Sequence, residues 1–239
     1  MVQPRVYLTA LPQVGRLVPY VFYPHLKQRL IRKKHILKVE KVVIGLTGGF
    51  LAGKSTISRM LAEKGAVVID ADKIGHEAYK PHTKAWQELR DAFGEGILKK
   101  SGEIDRQKLG EIVFSDPQAL ERLNKIVHPL MHEMIREEID RLRGQGVAVV
   151  VLEAAVLIEA NWTDLVDEVW AAVAPEEVAV KRLQNRGGLS EEQARARIRS
   201  QLSPEERAKH ADVIIDTDCE LSEVRAKVAE LWQRLHKRA

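Results

Sequence analysis

The sequence predicts an α/β protein: a five-stranded parallel sheet covered by helices on both faces, with a helical subdomain inserted beside it. Three observations carry this expectation. Short apolar runs of strand length recur from residue 42 onward, with helix-patterned segments between them. A glycine-rich loop joins the first run to a helix. The stretch between the second and third runs is helical and too long for a simple crossover, so a subdomain is expected over about residues 73–145.

The elements follow in order. Val42–Thr47 reads as a buried strand, and Lys54–Lys64 as a helix that Gly65 is placed to stop. Ala66–Asp70 is the second strand. Within the helical run, Asp105 and Ser115 are the expected N-caps, with Pro117 in the first turn after Ser115. His128-Pro129 reads as a helix boundary, because proline disfavours helical backbone at the residue before it. Val147–Leu152, Glu168–Val173 and Val213–Asp216 are the remaining strands. Ser190–Gln193 and Ser203–Glu206 have capping-box spacing, and Leu221–His236 closes the chain as an amphipathic helix.

Composition narrows the function classes. The chain has 239 residues and a net charge of +4. Residues 1–39 hold eight Lys or Arg and no acidic residue, so the other 200 residues carry a net −4. The basic balance therefore belongs to the N-terminal segment, and no nucleic-acid partner is expected of the body. Residues 1–40 also hold four of the nine prolines and no serine, and are expected to form an extension without long periodic structure. The single Cys219 excludes an internal disulfide and a four-cysteine zinc site, and favours a reduced, cytoplasmic setting. No apolar run approaches membrane-spanning length. The four tryptophans are too scattered to form a stacking platform and are expected in packing.

"GLTGGFLAGKST" at 45–56 contains Gly48, four residues, then Gly53-Lys54-Ser55. This is the phosphate-loop pattern, between a strand and a helix as it requires. Gly48, Gly49 and Gly53 let backbone N–H groups approach phosphate oxygens, and the helix start adds its positive dipole end. Lys54 would supply charge for the β and γ phosphates, and the Ser55 hydroxyl a ligand for Mg²⁺. The nucleotide-contacting set expected from the loop is Gly48, Gly49, Leu51, Ala52, Gly53, Lys54, Ser55 and Thr56. No Asn-Lys-x-Asp segment is present, which favours ATP over GTP. The fold is accordingly expected to be the three-layer type of phosphate-loop nucleoside triphosphate hydrolases.

"VVIDADKIGH" at 67–76 ends the second strand in two carboxylates, Asp70 and Asp72. Ligands of parallel sheets gather beyond the carboxyl ends of the strands. A carboxylate there can orient or deprotonate an attacking hydroxyl; the alternative is that one Asp only caps a helix and the other is solvated. Glu153, at the end of the third strand, can reach the metal shell or an acceptor, and Glu159 reads as solvated or capping. His128 and His132 have helical spacing but lack the Glu of a metalloprotease motif. "KRLQNRGGLSEEQARARIRSQ" at 181–201 reads either as a charged hairpin or as a lid jointed at Gly187-Gly188, its arginines poised for phosphates. The residues alone leave open a nucleoside or nucleotide kinase, and a nucleotide-binding protein that works through its basic arm.

The chain resembles the dephospho-CoA kinase family. "GLTGGFLAGKST" at 45–56, "VIDAD" at 68–72, "HPL" at 128–130, "VLEAAVLIE" at 151–159, "RLQNRGGLS" at 182–190, "RIRSQ" at 197–201 and "ADVIID" at 211–216 carry the likeness, in the family's order. The region 153–159 is closer to the form in the kinase domain of bifunctional coenzyme A synthases. The resemblance implies MgATP-dependent phosphorylation of the ribose 3′-hydroxyl of dephospho-CoA, the last step of coenzyme A synthesis, with dephospho-CoA as the small-molecule partner. It implies a kinase domain over 41–239 with a lid at about 182–204. It makes Asp72 the base or orienter, Lys54 and Arg186 the cations on the phosphates, and Ser55 and Thr56 the metal and phosphate hydroxyls. Arg182 and Arg197 are companions of Arg186, and Asp72, His128 and Glu153 are expected on the acceptor. Departures are the bulky Phe50-Leu51-Ala52 in the loop and Thr217 where the family often has Asn.

Overall fold

The computed structural model describes residues 6–7, 20–21, 41–186, 191–192, 195, 198 and 201–237. Two compact units are distinguished, Met1–Val39 (with Ala239) and Glu40–Arg238. In the first, Val6–Tyr7 pairs antiparallel with Tyr20–Val21, a pairing that the proline-interrupted sequence does not foretell. All elements named below belong to the second.

Its centre is one parallel sheet of β1 (Val42–Gly48), β2 (Val67–Asp70), β3 (Val149–Glu153), β4 (Glu168–Val173) and β5 (Val213–Asp216), in the order β2-β3-β1-β4-β5. The three central strands are buried on both faces, which is why they read as continuous apolar runs, while the edge strand β5 leaves Ile214 exposed. Alternate residues divide between two cores. Val43, Ile69, Val150 and Leu152 pack on one side, and Ile44, Leu46, Val149, Val151, Trp170 and Ile215 on the other. Helices α1 (Lys54–Glu63) and α8 (Leu221–Lys237) cover the second face through Ile57, Leu61, Val228 and Leu231.

Helices α2 (Ala71–Ala78), α3 (Lys84–Phe93), α4 (Arg106–Ser115) and α5 (Pro117–Gly144) follow β2 and bury Leu89, Val113, Ile135 and Ile139 against the first core. Two further helices, α6 (Glu176–Arg186) and α7 (Pro204–Lys209), lie between β4 and β5. The N-caps explain several starts. Asp105 accepts the amides of Gln107 and Lys108, and the Ser203 hydroxyl accepts that of Glu206. Of the expected Ser190–Gln193 capping box, Ser190 and Gln193 lie outside the described residues.

Three expectations at element ends are corrected. Asp116, not Ser115, caps α5 by accepting the Gln118 amide at 2.9 Å, and Pro117 takes the first helical position. Ser115 ends α4, its hydroxyl donating back to the Ile112 carbonyl. The boundary at His128-Pro129 does not exist, since α5 runs 28 residues straight through it. An internal proline costs a helix about 3 kcal/mol. The inner face of α5 buries Val127, Met131, Ile135, Ile139 and Leu142, each worth about 1.5–3 kcal/mol, and that burial outweighs the lost bond. β3 spans Val149–Glu153 rather than Val147–Leu152. Glu153 is thereby in the sheet, opposite Asp70 of β2 and Leu46 of β1.

Candidate active site

The loop after β1 is shaped by close approach and by unusual backbone. A Cβ on Gly48 would lie 2.6 Å from the Ala172 carbonyl oxygen and 3.1 Å from Lys54 Cγ, so glycine is what lets β1 end against β4 with Lys54 folded over it. Gly53 holds φ at 89° at the N-cap of α1, the left-handed region that glycine adopts freely. No side chain caps α1, which leaves the start of the helix to an incoming anion.

Lys54 folds back so that Nζ donates to the Gly48 carbonyl at 2.8 Å and to the Gly49 carbonyl at 3.2 Å. Burial pushes its ammonium below the usual lysine range, the nearby Glu153 carboxylate opposing that most and Arg207 adding to it. Glu153 is held from two turns of α1. Ser55 Oγ donates to its Oε1 at 2.7 Å, and the buried Ser58 Oγ to its Oε2 at 2.5 Å.

The two carboxylates of the second loop separate. Asp70 caps α2, its Oδ1 accepting the amides of Asp72 at 3.0 Å and Lys73 at 3.3 Å. Asp72, in the first turn, lines a cleft of about 650 Å³ together with Leu51, Gly53, Lys54, Ser55, Thr56, Arg182 and Thr217. The cleft thus brings together the cation, both loop hydroxyls and one carboxylate.

The bulky loop residues are tied down through their backbone. The Phe50 amide donates to Gln201 Oε1 at 2.9 Å. Leu51, at φ 57°, offers its carbonyl to Arg182 Nη1 at 3.0 Å. The buried Thr217 hydroxyl lies 3.0 Å from the Ala52 carbonyl and accepts from Arg182 Nη1 at 3.0 Å. Thr217 therefore braces the loop from beneath, and Arg182 faces protein carbonyls here.

His128 is not gathered into this cleft. It lies edge-on to Trp162 at 5.6 Å, in a separate hollow of about 370 Å³ shared with Lys125, His132 and Glu159. Burial pushes its imidazole below the usual histidine range, against the pull of Glu159. His132 Nε2 meets Asp164 at 2.9 Å, which accounts for it without a metal. The side chain of Arg186, at the end of α6, and residues Gly187, Gly188 and Arg197 lie outside the described residues.

Sequence reasoning missed Ser58, Thr47 and Arg207, and misread Glu159. The Glu159 carboxylate is not merely solvated, for its Oε1 takes the buried Arg207 guanidinium at 2.8 Å and the Leu202 amide at 3.3 Å. Arg207 also donates to Thr47 Oγ1 at 2.6 Å. A charged residue in a run such as Ser203–Lys209 carries no local sign of burial, so the partner can be found only in three dimensions.

Among the described residues no group of three or more His, Cys, Asp or Glu gathers as a metal site, and no helix is long and apolar enough to cross a membrane.

The family model for dephospho-CoA kinase matches residues 42–223. A dephospho-CoA kinase of Carboxydothermus hydrogenoformans is 44% identical over 192 residues, covering 80% of this chain and 93% of the relative. One from Geobacter sulfurreducens is 45% identical, covering 80% and 98%. The solved dephospho-CoA kinase of Campylobacter jejuni superposes with a TM-score of 0.62 at 31% identity, covering 82% of this chain and 97% of its own. The chain belongs to the dephospho-CoA kinase family.

Proposed function

We propose that this protein transfers the γ-phosphoryl group of ATP to the ribose 3′-hydroxyl of dephospho-CoA, yielding CoA and ADP, the last step of CoA biosynthesis. The observation that supports the reading is the one cleft that Asp72 lines together with Lys54, Ser55 and Thr56. Phosphoryl transfer needs little covalent help from a protein, so positioning and charge do most of the work.

In this reading the amides of the loop and of the α1 start bind the phosphates, with Gly48, Gly49, Leu51, Ala52, Gly53 and Thr56 shaping the cradle. Lys54 Nζ, seated on the Gly48 and Gly49 carbonyls, turns its remaining N–H towards the transferring phosphoryl oxygens. Asp72 accepts or orients the proton of the 3′-hydroxyl as its oxygen attacks phosphorus and the bond to ADP breaks. Glu153 and His128 serve the acceptor side, and Arg186 covers the phosphates from a lid at about 182–204 that excludes water.

A Mg²⁺ ion suits the donors present. Ser55 Oγ and Glu153 are hard oxygen ligands 2.7 Å apart at the loop, and Mg²⁺ takes few protein ligands, keeping the rest as water and phosphate oxygen. Ser55 would hold it, with Glu153 behind. When bound, the ion would neutralise charge on the β and γ phosphates.

The domain reading that accompanies this is a kinase domain over 41–239 behind a basic extension, acting in the cytoplasm. The test is ADP release from MgATP with purified protein, comparing dephospho-CoA with adenosine, AMP and pantetheine phosphate, and identifying products by mass. Turnover with dephospho-CoA to give CoA is the expected result, and turnover confined to a nucleoside would overturn the acceptor assignment.

A further inference from the structure

Arg207 is 1% exposed, and its guanidinium joins three segments. Nη1 donates to Thr47 Oγ1 at 2.6 Å, at the end of β1, and to the Ala155 carbonyl at 3.0 Å, in the turn after β3. Nη2 donates to Glu159 Oε1 at 2.8 Å. The same Glu159 oxygen accepts the amide of Leu202, on the segment leading into α7. Thr47 immediately precedes Gly48, and the Gly48 and Gly49 carbonyls are where Lys54 Nζ rests.

Fold stability alone gives no reason for this pair. Desolvation offsets most of the attraction in a buried ion pair, and apolar residues of similar volume commonly stabilise a fold as well or better. Nor is the pairing complete, since Arg207 Nε and Glu159 Oε2 are buried without hydrogen-bond partners among the described residues. What a planar guanidinium fork supplies is direction. It fixes the Thr47 side chain against the Ala155 carbonyl, one residue before the first of the two carbonyls that seat the lysine.

We propose that Arg207 and Glu159 are positioning residues for phosphoryl transfer, their ion pair holding Thr47 and, through it, the Gly48 and Gly49 carbonyls that place Lys54. Neither touches the reacting atoms. The inference rests on the reading of Lys54 as the phosphate cation. Loosening the floor of the loop displaces the ammonium while leaving the loop amides to bind nucleotide. The loss therefore falls on kcat and not on ATP affinity.

The experiment replaces the pair with apolar residues of similar size, Arg207→Met with Glu159→Leu. Three quantities are read: melting temperature, ATP dissociation constant, and kcat per folded protein with dephospho-CoA. The expected result is a melting temperature close to wild type, ATP affinity within about threefold, and kcat lower by about 10–100-fold, the scale of an ångström of misplacement. Wild-type kcat in the folded double variant would overturn the proposal and leave the pair structural. Should that variant fail to fold, Thr47→Val removes the hydroxyl and keeps the branched shape. It is expected to lose kcat in the same way, with Thr47→Ser recovering most of the loss, and a Thr47→Val enzyme of full kcat would overturn the proposal equally. A wild-type protein that fails to phosphorylate dephospho-CoA would sink the function reading. Wild-type turnover with unaffected variants would sink the positioning role alone.

Discussion

The backbone amide of Asp72 donates to the carboxylate of Asp70 at 3.0 Å, so the first acid of the "DAD" sequence is what points the second into the cleft. The two carboxylates are separated by one residue and by role. Asp70 begins α2 and Asp72 occupies its first turn, where an acid also suits the helix dipole.

Substitution should split these roles. Asp72→Asn is expected to lower kcat by about 10²–10⁴-fold, the range for loss of a positioned acid or base, with melting temperature and ATP affinity near wild type. Asp70→Ala removes a cap and is expected to cost about 1 kcal/mol of stability. Its kcat should fall less than that of Asp72→Asn, since the α2 start is displaced and no reacting group is deleted. Parallel thermal denaturation and steady-state kinetics check both. Equal kcat losses in the two variants would refute the division.

Lys54 should show its burial in the pH dependence of stability. Its pKa in the fold lies below the ordinary 10.5 because burial disfavours the ammonium. The unfolded chain then binds that proton more tightly, so the charged lysine lowers stability at neutral pH. The penalty fades as pH rises through the folded pKa towards 10.5. Lys54→Met is expected to be at least as stable as wild type at pH 7, with the difference shrinking as pH climbs. Its kcat should fall by about 10²–10³-fold, as for loss of an electrostatic donor. Urea denaturation of both proteins between neutral and alkaline pH measures the first effect.

The limits of sequence reading are visible in particular residues. β4 and β5 have the bounds that their apolar runs predict; β4 is buried on both faces and has no need of polar alternation, whereas the edge strand β5 alternates buried Val213 and Ile215 with exposed Ile214 and Asp216. The glycine loop and the Asp70–Asp72 turn were legible as local structure, since a strand, a turn and a helix start lie next to one another in the chain. Arg207 was not, for its partner Glu159 is 48 residues away and nothing in "SPEERAKH" distinguishes a buried cation from a solvated one. His128-Pro129 misled for the opposite reason. A valid local rule was overruled by the apolar face of α5 on either side of it. The Ser115 error was avoidable, since proline prefers the first helical position and so marks Asp116, immediately before Pro117, as the cap.

Glu153 accepts from two serines one helical turn apart, and these should differ in effect. Ser58 is buried and donates to Oε2, so Ser58→Ala strips a charge-assisted bond worth about 1.5–3 kcal/mol and frees the carboxylate to turn. The expected outcome is lower stability together with a higher Mg²⁺ concentration for half-maximal activity. Glu153→Gln should raise that Mg²⁺ requirement further, because a neutral amide is a weaker hard-ion ligand. A Mg²⁺ titration of activity at saturating ATP reads both. An unchanged titration in Glu153→Gln would remove Glu153 from the metal's surroundings.

Thr217 tests how the bulky loop keeps its shape. Its hydroxyl accepts from Arg182 and sits 3.0 Å from the Ala52 carbonyl, while the Arg182 guanidinium also holds the Leu51 carbonyl. Leu51 stands at φ 57°, a left-handed backbone that costs a branched-chain residue roughly 1–2 kcal/mol. The loop must therefore be held there. Thr217→Val keeps the volume and removes the hydroxyl, leaving a buried carbonyl and a guanidinium N–H without this partner, at a cost of about 1–3 kcal/mol. Part of that cost should appear as a relaxed loop, so the ATP dissociation constant is expected to rise several-fold with kcat less affected. Thr217→Asn retains a donor and an acceptor and should fall between Thr217→Val and wild type. Calorimetric titration of ATP into the three proteins decides the matter, and equal affinities would show that Phe50-Leu51-Ala52 holds its conformation without Thr217.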